Sequence, residues 1–236
     1  MKKQLFITVI AATALMYSFD AAAQTKSMLT VTAEGIGADG VIDPDYAFCV
    51  PAQEGHVAEG PNKSVGLSWS KGPEGTRSYA VIAVDPDVPT VFDDAGKEGK
   101  TIAASMPRKD FYHWVLFDIP AGTMQLPAGV DSKHVYKHGK SLLKRPYGMR
   151  GGNDYAAYMA ADPQRKGIYA GYDGPCPPWN DERIHRYHFK VYALDVASLG
   201  VRGKINGAQA QEAIRSHVLA EGEVVGSYTL NPALQK

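Results

Sequence analysis

Two nearly unbroken apolar runs, Tyr79 to Val84 and Phe111 to Ile119, constrain this chain more than any other feature. Their length and their β-branched and aromatic content are those of strands buried on both faces, so the fold must cover both sides of them. Around them the pattern changes to alternation. Leu29, Val31 and Ala33 alternate with Thr30 and Thr32, and Val65, Leu67 and Trp69 with Gly66, Ser68 and Ser70, as in half-buried strands. Tyr187 to Leu194 and Glu223 to Leu230 predict two more strands, with Gly226 marking a bulge or a close approach. One helix is predicted between Gly207 and Gly222. Its stripe of Ala210, Ala213, Ile214, His217 and Val218 should pack on the sheet, with His217 a core histidine of no assigned role. The expected fold class is mostly β.

The N-terminus reads as an export signal. Lys2 and Lys3 precede the apolar run Leu5 to Leu15, which is too short to span a bilayer, and Ala21-Ala22-Ala23 supplies the small residues a signal peptidase reads, placing cleavage before Gln24. The mature chain, residues 24–236, is then expected to be a single periplasmic or secreted domain, since no linker or internal repeat divides it. The full sequence balances 25 basic against 25 acidic residues, and loss of Lys2, Lys3 and Asp20 leaves about one net negative charge. That balance gives no electrostatic footprint for nucleic acid. No stretch of the mature chain is long and apolar enough for an integral membrane span. In an oxidising compartment Cys49 and Cys176 could pair, which would stabilise by about 4 to 5 kcal/mol through loop closure, or remain two buried thiols; their spacing leaves both open.

Residues 86–110 and 121–183 read as long connections rich in Gly, Pro and Asp, where function concentrates. At the edge of the first, a buried run enters Asp85-Pro86-Asp87-Val88-Pro89, whose prolines stiffen the backbone and aim the carboxylates; one should stand at the strand end, and a cis Val88–Pro89 bond would suit so tight a loop. His113 and Trp114 open the second buried run. The rigid loop Gly174-Pro175-Cys176-Pro177-Pro178 precedes His185-Arg186-Tyr187, and strand alternation puts His185 and Tyr187 on one face and Arg186 and His188 on the other. His134 and His138, set among Lys133, Lys137 and Lys140, predict a solvated basic loop rather than a metal site. No G-x-S-x-G, C-x-x-C, H-E-x-x-H or P-loop occurs, so no catalytic residue, cofactor or metal is assigned.

Taken in order, these motifs resemble the phosphatidylethanolamine-binding protein (PEBP) family, in its bacterial Raf-kinase-inhibitor-like branch. The resemblance runs from about Leu29 to Leu230 through Asn62 to Trp69, Asp85 to Pro89, His113-Trp114, and Gly174 to Tyr187. It implies an antiparallel β-sandwich with a C-terminal helix and long connecting loops. It also implies a non-catalytic binding protein for a small anionic or phosphorylated ligand, such as a phospholipid headgroup. By motif, the pocket would use Asp85, His113, His185 and Tyr187, walled by Pro86, Pro175 and Pro177. Two imidazoles and a phenol would donate to phosphate oxygens, with Asp85 orienting one imidazole and raising its pKa. Asp87 would tie down its loop, Trp114 would support the site, and Arg186 would be an ion-pair partner on the opposite face. Two alternatives stand beside this: a protein-interaction module that inhibits a protease or kinase, as the wider family suggests, and a weak hydrolase using an Asp85–His185 dyad. The chain departs from the family pattern at Val65, where proline is common, and in segments 154–171 and 179–184, which are longer than usual and could place Trp179 over the pocket.

Overall fold

The computed structural model describes residues 27–201 and 204–235; the segment read as a signal peptide lies outside them. Strands follow the sequence as β1 (Ser27–Met28), β2 (Val31–Glu34), β3 (Cys49–Pro51), β4 (Val57–Glu59), β5 (Gly66–Trp69), β6 (Ser78–Pro89), β7 (Arg108–Pro120), β8 (Gln125–Leu126), β9 (Lys144–Arg145), β10 (Gly148–Arg150), β11 (His185–Leu194) and β12 (Val218–Tyr228). The helices are α1 (Tyr155–Tyr158) and α2 (Gly207–Arg215). The two apolar runs form β6 and β7, which pair at the middle of a seven-stranded sheet ordered β1-β12-β11-β6-β7-β10-β9. All its pairings are antiparallel except β1 with β12. A three-stranded sheet, β2-β5-β8, packs Leu67, Trp69 and Leu126 against Tyr79, Val81 and Leu116 on one face. On the other face Ala210 and Ile214 of α2 meet Ala80, Ile82 and Val115. Both faces of β6 and β7 are therefore buried, as their unbroken apolar sequence requires. Each large apolar side chain so buried contributes roughly 1.5 to 3 kcal/mol.

Four expectations are corrected. The helix ends at Arg215 instead of running toward Gly222, because Val218–Gly222 finds strand partners in β11, and sheet pairing overrides the helical period. His217 consequently sits half-buried in the turn, bonded to Asp195, and not in the core. Asp85 does not end its strand: β6 runs on to Pro89 through an irregularity between Asp85 and Val88 that lets the prolines be accommodated. None of the described peptide bonds is cis, Val88–Pro89 included. Gly226 does mark a close approach, since a Cβ there would lie 2.6 Å from Ile42, and the ladder passes it without a bulge.

Candidate functional site

The end of β6 and the beginnings of β7 and β11 lie at one edge of the central sheet, because the three strands run antiparallel. Alternation along β6 and β11 carries Asp85, His185 and Tyr187 onto the face that holds Tyr79, Val81, Phe189 and Val191. His113 joins them by a different device. Ala83 pairs with Trp114 and Val84 with Tyr112, so His113 is the extra residue of a β-bulge, and both His113 and Trp114 turn toward the same side. Trp114 goes into the core, fully buried with its ring edge on Tyr172, while His113 sits at the floor of a cavity of about 680 Å³.

The cavity floor is polar and its walls are aromatic. Asp85, His113, His185 and Tyr187 lie at the bottom; Phe48, Phe111, Tyr155, Tyr158 and Trp179 stand around it. The expected walls change in part. Pro177 lines the cavity together with Pro178, whereas Pro86 and Pro175 do not. Pro86 is taken up by the irregularity in β6, and the Pro175 carbonyl faces away to accept the N–H groups of Phe48 and Cys49. Cys49 and Cys176 form a disulfide, with their Cα atoms 4.7 Å apart, that fastens β3 to the Pro177–Pro178 wall. Segment 154–171 supplies Tyr155, Tyr158 and Arg165 to the cavity, and Trp179, stacked on His56 at 3.8 Å, adds a further aromatic wall.

The two floor histidines are held in different ways. His185 Nδ1 is 2.7 Å from Asp85 and its Nε2 is 3.2 Å from Asp181, so both ring N–H groups are already committed to carboxylates. Burial would depress this ring, but the bonds to Asp181 and Asp85 win and raise its pKa to about 9. Both N–H groups are thus taken up within the protein, where the resemblance implied that His185 donates to a ligand. The raised pKa counts against the dyad reading, because a ring that holds its proton is a poor general base. Asp181 is fixed in turn by a bidentate bond from Arg108, which with His185 holds its carboxyl below the usual range despite burial. His113 instead makes one ring bond, from Nδ1 to the Asp173 carbonyl at 2.9 Å. Burial pushes its pKa down, and the nearby Asp85 charge and the carbonyl only partly oppose this. Its Nε2 and the Tyr187 hydroxyl are buried without hydrogen bonds of ordinary geometry. Burial, reinforced by the charge of Asp85, also raises the pKa of Tyr187 well above the usual phenol value.

Beneath His113 lies a cluster that the sequence reading did not assemble. The Asp173 carboxylate accepts from Asn62 at 2.9 Å, Lys140 at 2.7 Å and Asn153 at 2.8 Å, and Asn62 in turn accepts the Gly174 N–H at 2.8 Å. Lys140 is therefore buried and paired, which corrects its place in a solvated loop; Lys133, His134, Lys137 and His138 are exposed. On the far side of β11, Asp87 accepts from Arg186 at 2.9 and 3.0 Å and from Arg183 at 3.2 Å. Burial alone would raise the Asp87 pKa, and the two guanidinium groups lower it. The Arg186 side chain remains 58% exposed, so it covers the sheet edge without entering the core. Among the described residues, no group of three or more His, Cys, Asp or Glu could hold a metal ion, and no helix is long and apolar enough to cross a membrane.

A family model described as phosphatidylethanolamine-binding protein matches residues 36–229. The chain belongs to the PEBP family. The UPF0098 protein YbcL of Escherichia coli (strain K12) is 32% identical over 177 residues, covering 75% of this chain and 76% of that protein. YbhB of the same organism is 28% identical over 172 residues, covering 72% and 84%. The crystal structure of E. coli YbcL, described as a new member of the mammalian PEBP family, has a TM-score of 0.60 at 28% identity and covers 86% of this chain and 99% of that one. Within this bacterial branch of the PEBP family, the two segments set apart as long, 154–171 and 179–184, contribute most of one wall, the rim at Trp179, and the Asp181 carboxylate on His185.

Proposed function

We propose that the mature chain, residues 24–236, is an exported, non-catalytic, single-domain binding protein. Its cavity takes a small amphiphilic molecule, with a phosphate or comparable anionic head on His113 and Tyr187 and an apolar body along the aromatic walls. The observation that carries this reading is the buried, unpartnered His113 Nε2, beside the Tyr187 hydroxyl, at the floor of a cavity large enough for such a ligand. Such an unsatisfied group costs about 1 to 3 kcal/mol, which a ligand bonded to it would relieve. Export rests on the sequence from Lys2 to Ala23.

Calorimetric titration of the mature chain with hexyl phosphate near pH 6 tests the proposal. Saturable binding is expected, and His113→Ala should weaken it about 10- to 100-fold, the value of a charge-assisted hydrogen bond. No saturable heat, or equal affinity in the variant, would remove the phosphate site. Capture of a stoichiometric protein partner with the cavity unused would favour the interaction-module reading instead.

A further inference from the structure

The His113 ring is locked in one tautomer. A carbonyl oxygen can only accept, so the 2.9 Å bond to Asp173 requires the hydrogen to be on Nδ1. In the neutral ring Nε2 is then a bare lone pair, and this is the atom left buried and unpartnered at the cavity floor. A fully ionised phosphate oxygen placed against it would set acceptor against acceptor.

The surroundings of the ring do not supply a positive charge to the ligand in its place. Asp85 of β6 and Asp154, which precedes α1, are the charged side chains that act on it most directly. The rings of Phe111, Tyr155 and Tyr187 pack around it at 4.8, 5.7 and 5.1 Å. Asp154 accepts the Tyr112 N–H at 2.9 Å. His185 is cationic, but both of its N–H groups are spent on Asp85 and Asp181. Arg165, at the cavity mouth, is paired with Glu59 and Asp162.

We infer, resting on the reading of this cavity as a phosphate site, that the ligand binds as a proton donor to His113 Nε2 and that binding is therefore linked to a proton. A phosphomonoester enters as its monoanion with P–O–H directed at Nε2; the dianion enters only together with one proton taken from solvent, which comes to rest between the phosphate oxygen and Nε2. A phosphodiester has no P–O–H to offer. It binds only when the ring itself is protonated at that nitrogen, against the burial that favours the neutral form. The site thus selects monoesters over diesters, and holds a monoester more tightly in mildly acidic than in alkaline solution.

The test titrates the mature wild-type chain with hexyl phosphate and with methyl hexyl phosphate between about pH 5.5 and about pH 8, in buffers of contrasting ionisation enthalpy. Above the second ionisation of the monoester, near pH 6, its affinity is expected to fall about tenfold per pH unit, with uptake of about one proton. Below it, affinity levels off and proton uptake vanishes. The diester should bind at least about tenfold more weakly near pH 6. The His185 ring, raised to about 9, keeps its charge across this range. His56, an imidazole at the rim paired with Glu98, is controlled by His56→Gln, which should keep the slope. His113→Gln places an amide near the Nε2 position that can donate without titrating, and is expected to flatten the profile. Monoester affinity that is constant with pH and independent of buffer would overturn proton linkage while leaving the binding function standing. Equal affinity for the diester would overturn the selectivity. Absence of binding by either compound at every pH removes both this inference and the function beneath it.

Discussion

His113 and His185 stand on the same face of one sheet, near the starts of the two strands that flank β6, yet one is held by a single carbonyl and the other between two carboxylates. Both rings are buried, so desolvation acts on both in the same direction, toward the neutral form. At His113 it prevails. At His185 it is overcome, because Asp85 approaches from β6 and Asp181 from the loop just before β11. The contrast separates the floor into one ring whose hydrogen bonds are complete within the protein and one whose Nε2 has no partner among the described residues. Burial does not by itself decide the charge of a histidine; the number of carboxylates that reach it does.

The largest expected effect comes from freeing the wall that joins the two halves. The Cys49–Cys176 bond closes a loop with a sequence separation of 127, and loop-closure entropy assigns it about 4 to 5 kcal/mol. Cys49→Ala with Cys176→Ala should lower unfolding free energy in urea by that amount. A loss below about 1 kcal/mol would mean that the Pro175 carbonyl, through its bonds to Phe48 and Cys49, already holds the wall.

Next in size is a pH effect of opposite sign for the two rings. His185 is raised to about 9, so the stability it contributes is complete below about pH 6.5 and is lost as pH rises through about 9; the span is on the order of 3 kcal/mol. His113 has a lowered pKa, so its contribution is present above about pH 6.5 and declines as pH falls below it. Thermal unfolding followed against pH should show an alkaline decline that His185→Gln abolishes. The His113→Gln variant should keep that decline and lose part of the acid one. If neither limb responds, the two rings do not differ in charge.

Much of this site was legible in the sequence because its chemistry sits at the ends of strands that announce themselves. Asp85, His185 and Tyr187 follow from simple alternation out of a core face, and the unbroken runs of β6 and β7 foretell the two covering layers. His113 is different: alternation alone would part it from Trp114, and only a bulge, which leaves no mark in the apolar pattern, turns both the same way. Lys140 was misplaced because its partner, Asp173, is 33 residues further on, and a lysine among basic neighbours gives no hint of a buried carboxylate. Asp181 lay in plain view four residues before His185. Its role was hidden by the loop conformation, which depends on Asn180 holding the backbone of Asp94 and Lys100 and on Arg108 holding Asp181 itself. Local periodicity reports which face a strand residue takes; it is silent on which loop will fold back to meet it.

The smallest effect is the most direct break of the contrast. Asp181→Asn keeps the shape at His185 Nε2 and removes one of the two charges that hold its proton. The amide oxygen can still accept from the ring or from Arg108, so the loop should stay in place. Burial then opposes a single carboxylate, Asp85, and the His185 pKa should fall from about 9 by roughly one unit, equivalent to about 1.4 kcal/mol. Imidazole resonances followed by NMR against pH would read this directly, and the alkaline decline in stability should move to lower pH with them. An unmoved titration would mean that Asp85 alone keeps His185 charged. In that case the 179–184 loop lines the cavity through Trp179 without setting the charge of the floor, and the asymmetry between the two histidines belongs to β6 rather than to the loop.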